Sequence, residues 1–318
     1  MTLMNPVLGR ELKERARGRR MMYVLFGYLG LLALTVQLIY WERTHAADNA
    51  FSFSVADLSS ARTGRFLFDS ILIGVLLLVC FLVPAFTAAS IAGERDRQTL
   101  VPLQVTMLSA RSIVIGKLLA GLALVSLLLV AAAPFLGVAL ILGGVTAGAI
   151  AKGLAMVLVT AVLLGSLSIA CSSLVRRVQV ATVAAYGLTL FLLIGTFVGY
   201  GVMSVINSRT NINGNGTSSR TNRALLVANP LVATADLLWD RRTSNGLSSP
   251  LGSLQRMAEP AANNGIAFGP NGQPLANQKV SSGLPMWVRS LLTFAVISAG
   301  ALLIATRRLR TPSESGDR

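Results

Sequence analysis

Glu94-Arg95-Asp96-Arg97 puts four charges in a row between two long apolar runs, in a chain with few charges elsewhere. Roughly twenty residues separate Ala92 from Ser112, far more than a turn between membrane spans requires. Leu100, Leu103, Val105 and Leu108 give this segment an apolar side, and Glu94, Arg95, Asp96 and Arg97 a charged one. A short helix lying at a membrane surface and pressing on a partner has this pattern, and a solvated loop is the plainer alternative. Catalytic sets are missing. The one histidine is His45, and the two cysteines, Cys80 and Cys171, sit apart inside apolar runs as small hydrophobes, so neither a zinc site nor a disulfide framework is expected. Gly116-Lys117 has neither the upstream glycine nor the following hydroxyl of a phosphate loop, so ATP-driven work would need a separate subunit. The middles of the apolar runs carry no Asp, Glu, Lys or Arg. Asp69 and Lys117 are expected near helix ends, within reach of the interface. That argues against a proton- or sodium-coupled carrier, because buried ionisable groups usually mark ion paths.

The elements that must position the charged segment follow from hydropathy. Of 318 residues 53% are hydrophobic and 13% charged, against about 25% charged in soluble domains. The fold class is therefore all-α and polytopic in a membrane, with six spans: Met22 to Tyr40, Phe68 to Ala92, Ser112 to Leu142, Ala149 to Leu174, Gln179 to Ile206 and Met286 to Thr306. The first run is longer than the ~7–15-residue core of a cleaved signal and reads as an uncleaved helix. Pro84 and Pro134 should kink or end the second and third spans. Small and hydroxyl residues inside the spans (Ser126, Thr160, Gly165, Ser166, Ser168, Ser172, Ser173) suit close helix packing, with a pathway lining as the alternative. Phe191, Phe197 and Tyr200 could face such a pathway or lipid.

Position explains the net charge of +15 better than nucleic acid does. Arg10, Lys13, Arg15, Arg17, Arg19 and Arg20 directly precede the first span, a pattern that binds anionic headgroups, and no aromatic residues interleave to stack bases. Arg95, Arg97, Arg111, Lys117, Arg176, Arg177, Arg307, Arg308, Arg310 and Arg318 fall on the same side if the spans alternate, so both termini are expected to be cytoplasmic in the cell membrane. Residues 1–21 read as an interfacial amphipathic helix: Asn5-Pro6 supplies an N-cap and first turn, and Leu8, Leu12 and Ala16 recur every four residues. Residues 22–206 carry spans one to five, 207–285 form an extracellular insertion, 286–306 the last span and 307–318 a cytoplasmic tail. Inside the insertion, Ala224 to Trp239 is apolar but too short, and too broken by Pro230, to span. It is expected as a pair of short helices dipping into the outer leaflet, or as an amphipathic helix lying on it.

Taken together, these residues resemble the permease subunit of the type-two ABC exporter family. Asn5-Pro6-Val7-Leu8 and Arg10-Glu11-Leu12 are similar to the family's opening interfacial helix. Gly93-Glu94-Arg95, Thr99-Leu100 and Ser109-Ala110-Arg111 resemble its coupling helix and exit, and Gly116-Lys117-Leu118-Leu119 the start of its third span. The chain departs from the family where Gln98-Thr99-Leu100-Val101-Pro102 stands for Gly-Thr-Leu and an acidic residue, and where Thr106-Met107 stands for Thr-Pro. An acidic contact at Val101 is therefore not expected. The resemblance implies coupling to a separate cytoplasmic ATPase through Gly93, Glu94, Arg95, Arg97, Thr99, Leu100 and Arg111, with ATP and magnesium bound by that partner and no cofactor in this chain. It also implies a second permease, identical or a paralogue. A membrane subunit that transmits force to an extracellular partner, and a secondary carrier, are the rival readings.

Overall fold

A computed structural model describes residues 19–48, 56–96, 98, 110–210, 223–238, 250–258 and 285–310. The expected interfacial helix with Asn5, Pro6, Arg10, Glu11 and Leu12, the residues Arg97, Thr99 and Leu100, and the tail after 310 lie outside the described residues. Every regular element described is helical: α1 (Arg19–Asp48), α2 (Ala56–Thr87), α3 (Ala92–Asp96), α4 (Ala110–Ile141), α5 (Ala147–Leu174), α6 (Val178–Leu190), a π-helical turn (Phe191–Gly195), α7 (Thr196–Thr210), α8 (Arg223–Val227), α9 (Pro230–Leu238), α10 (Pro250–Ala258) and α11 (Met286–Arg310).

Six stretches are long and apolar enough to cross a bilayer: Met22–Trp41, Ala61–Asp96, Ala110–Ile141, Ala147–Leu174, Val178–Met203 and Met286–Leu309. Apolar side chains point outward along them, among them Phe26, Leu34 and Trp41 in α1, Val183, Phe191 and Val198 in span five and Val296 in α11. Such faces are stable in hydrocarbon, where helices alone satisfy their own backbone groups. This is a multi-pass membrane protein. Both prolines are carried within helices, Pro84 three residues before α2 ends and Pro134 well inside α4. The expected second span began near Phe68, whereas α2 begins at Ala56, so Asp69 lies inside a helix rather than near its end.

Span four, α5, is the central element and packs against α2, α4, α6, α9 and α11. Its small residues let the neighbours close in: a side chain added at Gly165 would meet Leu118 at 2.9 Å, and one at Gly153 would meet Leu72 at 3.0 Å. The hydroxyls are spent on the helix itself. Thr160, Ser166 and Ser168 donate to the carbonyls of Met156, Leu163 and Leu164 at 3.0, 2.7 and 2.7 Å, and all three are buried. Close packing is the role this geometry gives them, rather than lining an open path.

The six spans share two ends. At one, which we call the basic end, Ile91, Val114, Leu118, Ile169, Ala305 and Leu309 form a compact apolar cluster. At the other, Gly143 (φ 86°) and Gly144 (φ 79°) make the turn between spans three and four in a backbone conformation that disfavours any side chain. A Cβ at Gly144 would run into the Ala61 carbonyl, so the turn is clasped directly to α2. Thr146 then caps α5, its hydroxyl accepting from the Ala149 amide at 3.2 Å. The insertion helices α8, α9 and α10 also sit at this end. Among the described residues of the insertion there are these three short helices, and α9 is buried against the bundle through Val232, Ala233, Thr234, Ala235 and Leu238.

Candidate coupling site

The charged segment begins where α2 gives out. Thr87, buried, turns its hydroxyl back on the Val83 carbonyl at 2.7 Å, and its methyl lies where a Cβ on Gly121 would stand, 2.7 Å away. The Thr87 side chain thus packs directly on the Gly121 backbone, bringing spans two and three close just before the chain leaves the bundle. The five-residue helix α3 follows, too short to hold itself in place by its own hydrogen bonds.

Two buried side chains from other spans hold it. Ser172 of α5, with no exposed surface, accepts from the amides of Ile91 and Ala92 at 3.1 and 2.9 Å. Those are first-turn donors that no intrahelical carbonyl can take. Lys117 of α4, 2% exposed, donates to the Ser90 carbonyl at 3.1 Å and to Glu94 Oε1 at 2.8 Å. The Glu94 side chain keeps 29% of its surface, so the pair has its cation inside and its anion at the boundary. Gly93 rests against Val178, the first residue of span five, with 3.9 Å from its would-be Cβ to the valine methyl. Ile91 anchors the whole in the apolar cluster of the basic end. Displacing α3 therefore pulls directly on spans two, three and four and presses on five.

Of the residues expected to contact a partner, Gly93, Glu94 and Arg95 are described on α3, and Arg111 is exposed in the first turn of α4. Glu94 turns inward to Lys117, Arg95 is half-buried, and Asp96 is exposed. The helix stops because Gln98 takes a left-handed φ of 56° and its amide bonds the Arg95 carbonyl at 3.1 Å. Glycine adopts that conformation freely, whereas here the position is held by a glutamine.

Two expectations need correction. Lys117 does not reach an interface: it is buried, because Glu94 supplies a counter-charge from within the chain. Asp69 does not either. It is fully buried in α2 beside Arg65 one turn earlier, Nε to Oδ1 3.3 Å, and the Arg65 guanidinium also donates to the Leu238 carbonyl at 2.9 Å. Sequence reasoning missed Ser172 and Lys117 as anchors; a lysine inside an apolar run with a carboxylate within loop reach was the available signal. Among the described residues no cluster of His, Cys, Asp or Glu could hold a metal.

A family model described as ABC-2 family transporter protein matches residues 6–267. The chain belongs to the ABC-2 transporter family. The match takes in spans one to five, the α3 segment and the insertion helices, and ends before α11. No curated protein matches the chain in sequence. In this ABC-2 transporter protein, α3 stands at the junction of spans two and three and is held by side chains from the ends of spans three and four.

Proposed function

We propose that this chain is the permease subunit of an ATP-driven exporter, working with a separate ATPase that docks on the 93–111 segment at the basic end. The single observation that carries the proposal is the attachment of α3 to spans four and three by Ser172 and Lys117. A helix that served only as a turn would need no such bolts, whereas one that passes a push into the bundle needs each of them. Glu94 in this reading is a positioning residue that holds the docking segment in place. The exposed Asp96 and Arg111 and the half-buried Arg95 are the groups that meet the partner. The basic end faces the cytoplasm, where the ATPase binds ATP and magnesium, and a second permease completes the path in the plasma membrane. The preponderance of Arg and Lys at this end supports that orientation.

Purification of the tagged full chain from its native membrane tests the proposal. A stoichiometric ATP-binding protein should accompany it and be lost in the Asp96→Ala/Arg111→Ala variant while the chain stays monodisperse. A homo-oligomer with no ATPase would remove the proposal and favour the secondary carrier.

A further inference from the structure

At the end opposite the coupling site, one side chain joins two elements that are individually irregular. Span five is interrupted at Phe191–Gly195 by a π-helical turn, where the Thr196 amide donates five residues back to the Phe191 carbonyl. The Leu192 carbonyl takes the Thr196 hydroxyl instead, at 2.8 Å. Asn229, with no exposed surface, caps α9: its Oδ1 accepts from the amides of Leu231 and Val232 at 2.9 and 3.4 Å. Its Nδ2 reaches across to span five, donating to the Leu193 carbonyl at 3.0 Å and the Thr196 hydroxyl at 2.7 Å. One amide group thus serves both as a helix cap and as the outside donor of the widened turn. In hydrocarbon, where water cannot fill such a role, that donor matters more than it would at a wet surface.

We infer that Asn229 is a positioning residue that holds span five in its π register, so that α9 and the outer part of span five form one latch with a second, α-helical state. A π turn accommodates one extra residue. Relaxing it to α rotates everything beyond by about 100° and shifts it by about 1.5 Å along the axis. Phe197 and Tyr200, which pack against Leu226 and Val232, would leave that contact, and Gly199 would occupy the place of Tyr200. The remainder of α9 is tied elsewhere. Leu238 accepts from Arg65 of span two, and Asp236 Oδ2 accepts from the Trp287 amide at the start of span six at 2.7 Å. Releasing Asn229 therefore frees span five alone, while spans two and six keep hold of α9. The role of this latch in transport rests on the permease reading above; its two registers do not.

Disulfide cross-linking in native membranes tests it, in full-length chains with Cys80 and Cys171 replaced by alanine. A cysteine replacing Val232 is paired with one replacing either Tyr200 or Gly199. The parent should cross-link through position 200. Asn229→Ser keeps an N-cap oxygen but is too short to reach span five, so cross-linking should pass to position 199. Deleting Ile194 removes the extra residue covalently, so position 200 should cross-link with or without Asn229→Ser. Retention of the position-200 cross-link in Asn229→Ser, with Ile194 present, would overturn the inference. So would failure of the deletion to restore it. In vesicles containing the co-purified ATPase, ATP should move the parent's cross-link from 200 to 199. If no ATPase accompanies the chain yet Asn229→Ser shifts the register, the permease reading fails and the latch stands.

Discussion

Glu94 and Lys117 are not equivalent halves of their pair, and that asymmetry gives a quantitative prediction. Lys117 is 2% exposed and Glu94 29%, with 2.8 Å between Nζ and Oε1. Glu94→Ala leaves an ammonium inside the bundle without its carboxylate, a change that costs on the order of 3 kcal/mol. Lys117→Met removes the buried charge, fills most of its volume, and leaves a glutamate whose side chain is already part-exposed and can turn outward, at about 1 kcal/mol. The double variant should then be no worse than Lys117→Met alone, a coupling energy of roughly 3 kcal/mol. Reversible unfolding in mixed detergent micelles measures the four stabilities, and partner ATPase activity measures the functional loss. Both single variants should uncouple ATP hydrolysis from transport, because α3 loses its hold on span three in each. Stabilities that add to within about 0.5 kcal/mol, or a Lys117→Met cost equal to that of Glu94→Ala, would refute the reasoning.

Three further outcomes follow from the packing. Ser172→Ala should cost about 2 kcal/mol by stripping the acceptor from two buried amides, and should loosen α3 as seen by faster proteolysis between residues 91 and 111. Gly121→Ala should destabilise by about 1–3 kcal/mol, since its Cβ would stand 2.7 Å from the Thr87 methyl, and Thr87→Ser, which deletes that methyl, should restore the melting temperature. Gly144→Ala should lower stability by more than the ~1–2 kcal/mol of a left-handed backbone alone, because the Ala61 carbonyl it meets is main chain and cannot swing aside; a melting temperature unchanged from the parent would contradict this.

Hydropathy made the six spans legible to within a few residues at most ends, because length and apolarity in lipid are local properties of the chain. The start of α2 was not. Residues 56–67 carry Asp57, Arg62 and Arg65 and fall outside the expected span, yet they continue the helix against the Gly143–Gly144 turn and α10. The cap-and-proline pair recognised at Asn5-Pro6 recurs at Asn229-Pro230, where it starts α9, so the insertion's helix boundary was readable from the same signal. Its second role was not readable, because nothing in the sequence pairs Asn229 with a carbonyl 36 positions earlier. Lys117 illustrates the same limit. A charge in an apolar run signals either an interface or a partner, and only the fold brings Glu94 to it.

The most direct test of the account is proximity at the coupling segment. Single cysteines replacing Asp96 or Arg111, both exposed, would be placed in a chain lacking Cys80 and Cys171, with Ser253, exposed on α10 at the opposite end, as the control. In native membranes, a short bifunctional thiol reagent should join the first two to an ATP-binding subunit, with a yield that changes on adding ATP, and should leave the Ser253 position unjoined. Cross-linking to an ATPase from position 253, or none from 96 and 111 in membranes where the ATPase co-purifies, would contradict the coupling assignment.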